Sequence, residues 1–304
     1  DDSRAQRNAL EFLGRAASHQ PFLLVVSILN PHDIYHFVKE IEPTRSKHVP
    51  LPGSWERETF KGKPVVQKQF MTEDQGKVIW GKPRAVWEFY REYYRRKVRL
   101  FDDALGAIVN QLKGTGLWDR TVLIVTSDHG DMDTHHRLIF KGPFMYEQLV
   151  RVPLLVRVPR QLGGRAQRVP DFGFVNVDLA PTILELAGVR PGKSHGQSLA
   201  RFLLGQEALP RREFVISQYY GKQKWVNPIR MIRTERFKYN LYIRHGEELY
   251  DLKEDPDELV NLASDRGYQQ FRKELRAELE RWIREHGDPF FQLRATDRRG
   301  EQLS

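Results

Sequence analysis

The stretch TVLIVTSDHGDMDTHHRLIFKGP, residues 121–143, is the strongest indication of the fold. Its first seven residues are apolar or small, and they lead directly into Asp128, His129 and Gly130. A continuous run of this kind is typical of a strand buried on both faces of a parallel sheet. Ligands of open α/β sheets bind outside the carboxyl ends of the strands. The stretch therefore predicts a ligand site directly after a buried strand.

A second run of the same type, PFLLVVSILN at residues 21–30, ends in Pro31, His32 and Asp33. Between the two runs, apolar residues recur every three or four positions from Val86 to Leu112, which predicts one long amphipathic helix. A helix between two buried strands is a βαβ unit. The predicted fold is therefore α/β, with a mainly parallel sheet sandwiched by helices. If both strands lie in one sheet, their polar ends face the same crevice.

The rest of the chain divides into segments that differ in composition and in the spacing of their apolar residues. A helix is predicted at 2–17, a strand at 152–159 and a helix at 177–189, while 40–83 is Pro-, Gly- and Lys-rich and reads as a long surface segment. After about residue 210, four short β-type segments and a closing amphipathic helix predict a small antiparallel sheet plus helix. The predicted domains are an α/β core at 1–208 and an α+β subdomain at 209–304.

Composition narrows the function classes. The 304 residues contain no cysteine, which excludes disulfides, zinc–thiolate sites and thiol nucleophiles within them. No apolar run approaches the 18 residues that a membrane span needs. Lys and Arg (49) outnumber Asp and Glu (40), giving a net charge of +9. This excess predicts either ordinary solvated faces or attraction of an anionic substrate. No nucleic-acid-binding motif is present, so nucleic acid is not an expected partner.

The residues at the two strand ends have functional and ordinary interpretations. Asp128 and His129 can both turn toward one metal ion, or Asp128 can cap the next segment while His129 lies at the surface. Lys141 can place an ammonium against a bound anion, or simply extend into solvent. His32 alone is more often a hydrogen-bonded structural histidine. The acids after Gly130 do not have the spacing of an EF-hand.

Several motifs together carry a family resemblance. They are SDHGDM…HHRLIFKGP, VRVPLLVRVP, VNVDLAPTILELAGV, HGQSLARFLLG and ELYDLKEDPDELVNLA, with PFLLVVSILNPHDIY upstream. In this order they resemble the sulfatase family of the alkaline-phosphatase superfamily, over roughly residues 8–265. The resemblance implies an alkaline-phosphatase-like α/β fold and hydrolysis of a sulfate ester.

The resemblance also implies roles by position. Asp128 and His129 match the pair that binds the divalent cation, and Lys141 matches the lysine that contacts the sulfate and leaving-group oxygens. His32 matches a histidine that binds the ester oxygen or assists the leaving group. His136 precedes the lysine at a position that implies substrate binding. A metal ion and a lysine would stabilise charge on the ester oxygens, and a histidine would protonate the leaving oxygen.

The cofactors that the resemblance implies are a divalent metal and a formylglycine. Ca²⁺ is the first expectation, with Mn²⁺, Mg²⁺ or Zn²⁺ as alternatives because an imidazole suits transition metals better than calcium. Formylglycine is made from Cys or Ser in a C/S-x-P-x-R motif, and these 304 residues contain neither version. We therefore expect that segment upstream of Asp1, and we expect the chain alone to be inactive.

Three functions remain open at this stage. The first is hydrolysis of a sulfate ester, with a sulfated polysaccharide as a candidate substrate in view of the positive charge. The second is hydrolysis of a phosphonate or phosphodiester within the same superfamily. The third is a non-catalytic chain that only binds anions. A separate N-terminal fragment is a candidate partner. The stretch LYDLKEDPDELVNLA is interpreted as structural, with turn and helix-start residues at 255–257.

Overall fold

The computed structural model describes residues 2–16, 20–40, 49–167, 169 and 172–303. The chain folds into two compact units, each assembled from three segments. The first comprises Asp1–Pro50, Pro83–Asp128 and Pro153–Pro210, and the second comprises Leu51–Lys82, His129–Val152 and Arg211–Ser304. The predicted division at residue 208 stays a prediction.

The first unit is mainly helical. Its elements are α1 (Asp2–Arg15), α4 (Arg84–Gly114), β1 (Leu123–Thr126), β2 (Leu154–Arg157), α6 (Leu179–Leu186), α7 (Ala200–Leu203) and a 3-10 helix, His32–Glu40. The predicted helices at 2–17 and 177–189 and the long helix after residue 84 are thus confirmed. Ala9 and Leu13 of α1 pack against Ile108 and Leu112 of α4 because the apolar residues of each helix recur on one face.

The predicted parallel sheet is not confirmed. β1 pairs with β2 in antiparallel register, with Leu123 opposite Arg157. Residues 21–29 are not assigned to a strand. Within this run exposure alternates, so that Leu24 packs against the α1–α4 core while Leu23 and Val25 are 71% and 79% exposed. An apolar run can form an extended segment without fixing the direction or the identity of a partner strand, so the described residues leave the mainly parallel sheet unconfirmed.

The second unit contains the predicted antiparallel sheet. Its elements are α2 (Gly53–Arg57), α3 (Val65–Glu73), α5 (Glu147–Val150), β3 (Val215–Lys222), β4 (Trp225–Arg233), β5 (Phe237–Tyr242), β6 (Gly246–Asp251) and α8 (Gln269–Glu285). The strand order is β3-β4-β5-β6, and every neighbouring pair is antiparallel. Leu275, Leu279 and Ile283 of α8 pack against buried residues of the sheet, among them Tyr239 and Leu249. The predicted small sheet plus helix is therefore confirmed.

The prediction of a surface segment at 40–83 is wrong for residues 51–82. This part forms α2 and α3 and buries Phe70 and Met71 together with the polar side chains of Glu58 and Gln67. Residues 41–48 lie outside the described part of the chain. The predicted turn at 255–257 is present, since Asp255 accepts a hydrogen bond from the Val260 amide at 2.8 Å. No helix begins there, because the next α-helix is α8.

Among the helices that the structure describes, none combines the length and the apolar character needed to cross a membrane.

Candidate active site

Two of the predicted site residues belong to the first unit. Asp128 follows β1, and its Oδ1 accepts a hydrogen bond from the Ser127 hydroxyl at 3.3 Å. The Ser127 carbonyl in turn accepts from the Asn176 side chain at 2.9 Å, which fixes the end of the strand. His32 is exposed at the start of the 3-10 helix His32–Glu40, with its ring centroid 5.1 Å from that of Tyr35.

His129 and Lys141, both in the second unit, are brought together by the structure. The Lys141 Nζ lies 2.6 Å from His129 Nε2, and His129 Nδ1 lies 2.8 Å from the Gly130 carbonyl oxygen. A carbonyl can only accept, so Nδ1 carries the proton and Nε2 accepts from the ammonium. The Nε2 lone pair is therefore directed at the lysine. The local chain thus places a cation beside a potential metal ligand.

Gly130 is required for a reason that the sequence did not show. A Cβ at this position would lie 1.9 Å from the Gln148 carbonyl oxygen. Glycine is therefore needed because two stretches of backbone approach each other closely here, and not because φ is positive. The Gly130 amide donates to the Leu149 carbonyl at 2.9 Å. The backbone beside His129 is therefore fixed against α5.

The backbone that leads to Lys141 is strained. Positive φ angles, which non-glycine residues rarely adopt, occur at Asp133 (40°), Thr134 (71°), His136 (56°), Arg137 (55°) and Phe140 (57°). Each costs on the order of 1–3 kcal/mol and persists only where the surroundings impose it. Here the surroundings are apolar in part, since Leu138, Ile139 and Phe140 are all buried.

His136 is fully buried beside Glu58. Its Nδ1 lies 2.8 Å from Glu58 Oε2, and its ring stacks on Tyr146 with centroids 3.9 Å apart. Burial lowers the His136 pKa to about 4, against the opposing effect of Glu58. Burial raises the Glu58 pKa, but hydrogen bonds and charge from His136 and Lys63 outweigh it and bring the value to about 2. His136 is thus a neutral ring packed in the interior, and its predicted substrate contact stays a prediction.

A buried ionic network surrounds this histidine. Lys63, whose side chain is 1% exposed, donates to Glu58 at 2.7 Å and to the Glu258 main-chain carbonyl at 3.0 Å. Lys238 is fully buried on β5 and contacts Glu258 at 2.7 Å and Glu147 at 2.8 Å. The Arg233 guanidinium also pairs with Glu147, at 3.1 and 3.2 Å.

This network was not predicted from the sequence, although one residue pointed to it. Lys238 stands between Phe237 and Tyr239 in a β-type run, where a lysine has to be either exposed or paired. The partners could not be named, because Glu147 lies 91 positions before it and Glu258 20 positions after it, outside any local pattern.

The donor chemistry of the predicted metal ligands fits a divalent cation. Asp128 offers carboxylate oxygens, and Nε2 is the only ring nitrogen of His129 with a lone pair. That lone pair accepts from Lys141 in this structure, so it can bind a metal ion only after the Lys141 hydrogen bond is released. A histidine ligand typically has its other nitrogen bonded to a carbonyl or carboxylate in this way. Within the described residues, no group of three or more His, Cys, Asp or Glu side chains is arranged to hold a metal. Each of the two residues therefore has donor atoms of a suitable type, and their joint role as metal ligands stays a prediction.

The chain matches two family models. The one described as Sulfatase matches residues 1–189, and the one described as N-sulphoglucosamine sulphohydrolase, C-terminal, matches residues 135–285. A Delta 4,5-hexuronate-2-O-sulfatase of Bacteroides thetaiotaomicron is 29% identical over 292 residues, which cover 90% of this chain and 59% of the relative. The chain therefore spans less than two thirds of the length of that relative.

Solved structures share the fold. A 2-O GAG sulfatase superposes with a TM-score of 0.84 and 27% identity, over 98% of this chain and 66% of that one. The phosphonate monoester hydrolase of Agrobacterium radiobacter superposes with a TM-score of 0.75 and 25% identity, over 98% of this chain and 63% of that one. The family's fold is thus present even though the sheets described in this chain are small and antiparallel.

Proposed function

This chain belongs to the sulfatase family, and we propose that it serves in the metal-assisted hydrolysis of sulfate esters. The observation that carries this proposal is the pairing of Lys141 with His129, because it places an ammonium beside an imidazole on a fixed backbone. A preorganised cation is what an oxyanion-forming reaction needs, since it stabilises developing charge without rearranging during the reaction.

Each residue has a proposed task in the reaction. The Lys141 ammonium donates to sulfate and leaving-group oxygens and stabilises their negative charge. His32 binds the ester oxygen or protonates the leaving group, and its exposure leaves it accessible to substrate. Asp128 and His129 hold the divalent cation, Ca²⁺ first and Mn²⁺, Mg²⁺ or Zn²⁺ as alternatives. The cation, when bound, supplies further positive charge at the ester oxygens.

The nucleophile is proposed to lie outside these 304 residues. They contain no cysteine and no serine in an S-x-P-x-R motif, so none of them can supply the formylglycine that the family resemblance implies. We expect the 304-residue chain alone to release no sulfate. Addition of a segment with the formylglycine motif, as part of one polypeptide or as a separate fragment, is expected to restore turnover.

The proposed substrate is a sulfated glycan. Support comes from relatives named for such activities, including the Delta 4,5-hexuronate-2-O-sulfatase and an N-acetylglucosamine-6-O-sulfatase of Bacteroides thetaiotaomicron. The net charge of +9 also favours a polyanionic substrate. Hydrolysis of a phosphonate monoester is the second candidate, favoured by the TM-score of 0.75 with the phosphonate monoester hydrolase.

The test compares esters in the protein that joins this chain to a formylglycine segment. We expect release of sulfate from a sulfated disaccharide, and slower cleavage of a phenylphosphonate monoester. Lys141→Ala and Asp128→Ala should each lower kcat/KM by about 10²–10³-fold, since each removes charge stabilisation. Wild-type rates in either variant would remove that residue from the site, and preference for the phosphonate would select the second candidate.

A further inference from the structure

Lys141 lies between two anchored stretches of backbone. On its N-terminal side, His136 bonds to Glu58 at 2.8 Å. On its C-terminal side, the Met145 carbonyl accepts from Lys238 Nζ at 3.0 Å, and the Glu147 amide donates to Glu258 Oε2 at 2.7 Å. The anchors of the C-terminal side, Lys238 and Glu258, lie about 100 residues further along the chain.

Glu258 and Lys238 form a buried ion pair. Both side chains are fully buried, and Glu258 Oε1 lies 2.7 Å from Lys238 Nζ. Removing Lys238 would leave the Glu258 side chain without its cation, and removing Glu258 would leave Lys238 with Glu147 as its one carboxylate partner, so either change is unfavourable in the interior. Two of the three partners of the Lys238 ammonium, the Met145 carbonyl and the Glu147 carboxylate, belong to the segment after Lys141. The pair therefore anchors that segment as a unit.

Glu258 also reaches the N-terminal side of Lys141. Its main-chain carbonyl accepts from Lys63 at 3.0 Å, and Lys63 donates to Glu58 at 2.7 Å. Glu58 in turn bonds to His136. One residue is thus tied to position 147 directly and to position 136 through two intermediate side chains.

The strained backbone between residues 133 and 140 has to be held in place by contacts with the rest of the unit. The positive φ angles between residues 133 and 140 would relax unless the surrounding structure held them. We propose that Glu258 and Lys238 are positioning residues, which hold segment 133–147 so that the Lys141 ammonium stays beside His129. The inference rests on the proposed function only for its last step, from the position of Lys141 to catalysis.

The experiment compares hydrogen exchange in Glu258→Gln and Lys238→Met with that in Asp288→Asn. Asp288 is the matched control because it pairs with Arg230 in the same unit, and the two side chains are 5% and 7% exposed. We expect amides of residues 133–150 to exchange at least about tenfold faster in the two test variants than in the control, compared at equal global stability. Equal rates in all three variants would overturn the proposal.

A double variant tests the proposal even if the single variants do not fold. K238M/E258M contains no unpaired buried charge, yet it lacks both the donor to Met145 and the acceptor for the Glu147 amide. Replacement of a buried ion pair by apolar residues is often neutral for stability. We expect this variant to fold and still to show faster exchange at 133–150. Wild-type exchange in the folded double variant would overturn the proposal as well.

Measurements of kcat and KM distinguish failure of the positioning role from failure of the proposed function. In the protein joined to a formylglycine segment, E258Q should lower kcat by about 10²-fold, the cost of a misplacement near 1 Å, with KM changed far less. Asp288→Asn should leave both constants near wild type. If the wild type hydrolyses no sulfate ester, the proposed function fails, while hydrogen exchange still decides the positioning. Wild-type kcat in E258Q would refute the positioning alone.

Discussion

Segments 21–29 and 58–67 behave in opposite ways. The first is almost wholly apolar, yet Leu23 and Val25 are 71% and 79% exposed. The second carries Glu58, Lys63 and Gln67, all polar, and their side chains are almost completely buried. Apolar character therefore does not guarantee burial in this chain, and charge does not guarantee exposure.

The difference lies in the partners that each segment finds. Phe22, Leu24 and Val26 pack against the core that α1 and α4 form, whereas Leu23 and Val25 are exposed. Lys63 meets a carboxylate and a carbonyl at hydrogen-bond distance, which offsets the cost of leaving water. Burial in this chain is decided by long-range complementarity, and substitutions in buried and exposed positions can test that statement.

Loss of the central buried charge should have the largest effect. Glu258→Gln leaves Lys238 with Glu147 as its one carboxylate partner, so the free energy of unfolding should fall, by at most about 3–5 kcal/mol, the cost of a fully stranded buried charge. Urea unfolding followed by circular dichroism measures this loss. K238M/E258M should recover most of it because no charge is then stranded. A loss below about 1 kcal/mol in E258Q would mean that the buried pair is not required for stability.

Acid should weaken the same region through His136. Burial holds its folded pKa at about 4, below the ordinary 6.5, so only the unfolded state gains the proton between these values. The stability contribution is complete above pH 6.5 and is lost as pH falls toward 4, by on the order of 3 kcal/mol. Glu58, Lys63 and His135 act on the ring and set this value. Glu58 itself, with a pKa of about 2, loses its contribution in a lower range, from 4.5 to 2.

Urea midpoints at several pH values test this claim. His136→Gln should flatten the stability profile between pH 6.5 and 4, while the exposed His36→Gln serves as the control for a change in histidine content. A profile that keeps its slope in H136Q would assign the acid sensitivity to other groups.

The sequence predicted the elements whose signal is local. The periodic residues from Val86 to Leu112 predicted α4, and the short runs after residue 210 predicted the antiparallel sheet. The turn chemistry at Asp255 was also readable. Pairing between distant segments was not readable. For this reason the mainly parallel sheet is not confirmed and the burial of Lys63 was not predicted. Such pairings depend on contacts that no window of sequence contains.

The same limit applies to the candidate site. Asp128, His129 and Lys141 were selected because polar residues follow an apolar run, and the structure brings His129 and Lys141 to 2.6 Å. Glu258 was interpreted as part of a structural turn motif. Its bonds with Lys63 and with the Glu147 amide join residues separated by more than 100 positions, so only the folded chain reveals them.

Gly130→Ala should have an intermediate effect. The added Cβ would lie 1.9 Å from the Gln148 carbonyl oxygen, so backbone has to move, at a cost of about 1–3 kcal/mol. Gly106→Ala is the control, because no heavy atom lies within 4 Å of its Cβ position in α4 and alanine favours a helix. Thermal unfolding should therefore shift in opposite directions for the two variants. A stable G130A protein would show that the approach of the two backbones is not tight.

The smallest effects are expected in the exposed apolar segment. Leu23→Ser and Val25→Ser should each change the free energy of unfolding by less than about 0.5 kcal/mol, since both side chains already face water. Leu24→Ser, which removes a side chain packed against α1 and α4, should cost clearly more. If L23S or V25S destabilised the folded chain as much as L24S, these residues would be covered in solution. The contrast between an exposed apolar segment and a buried polar one would then no longer hold.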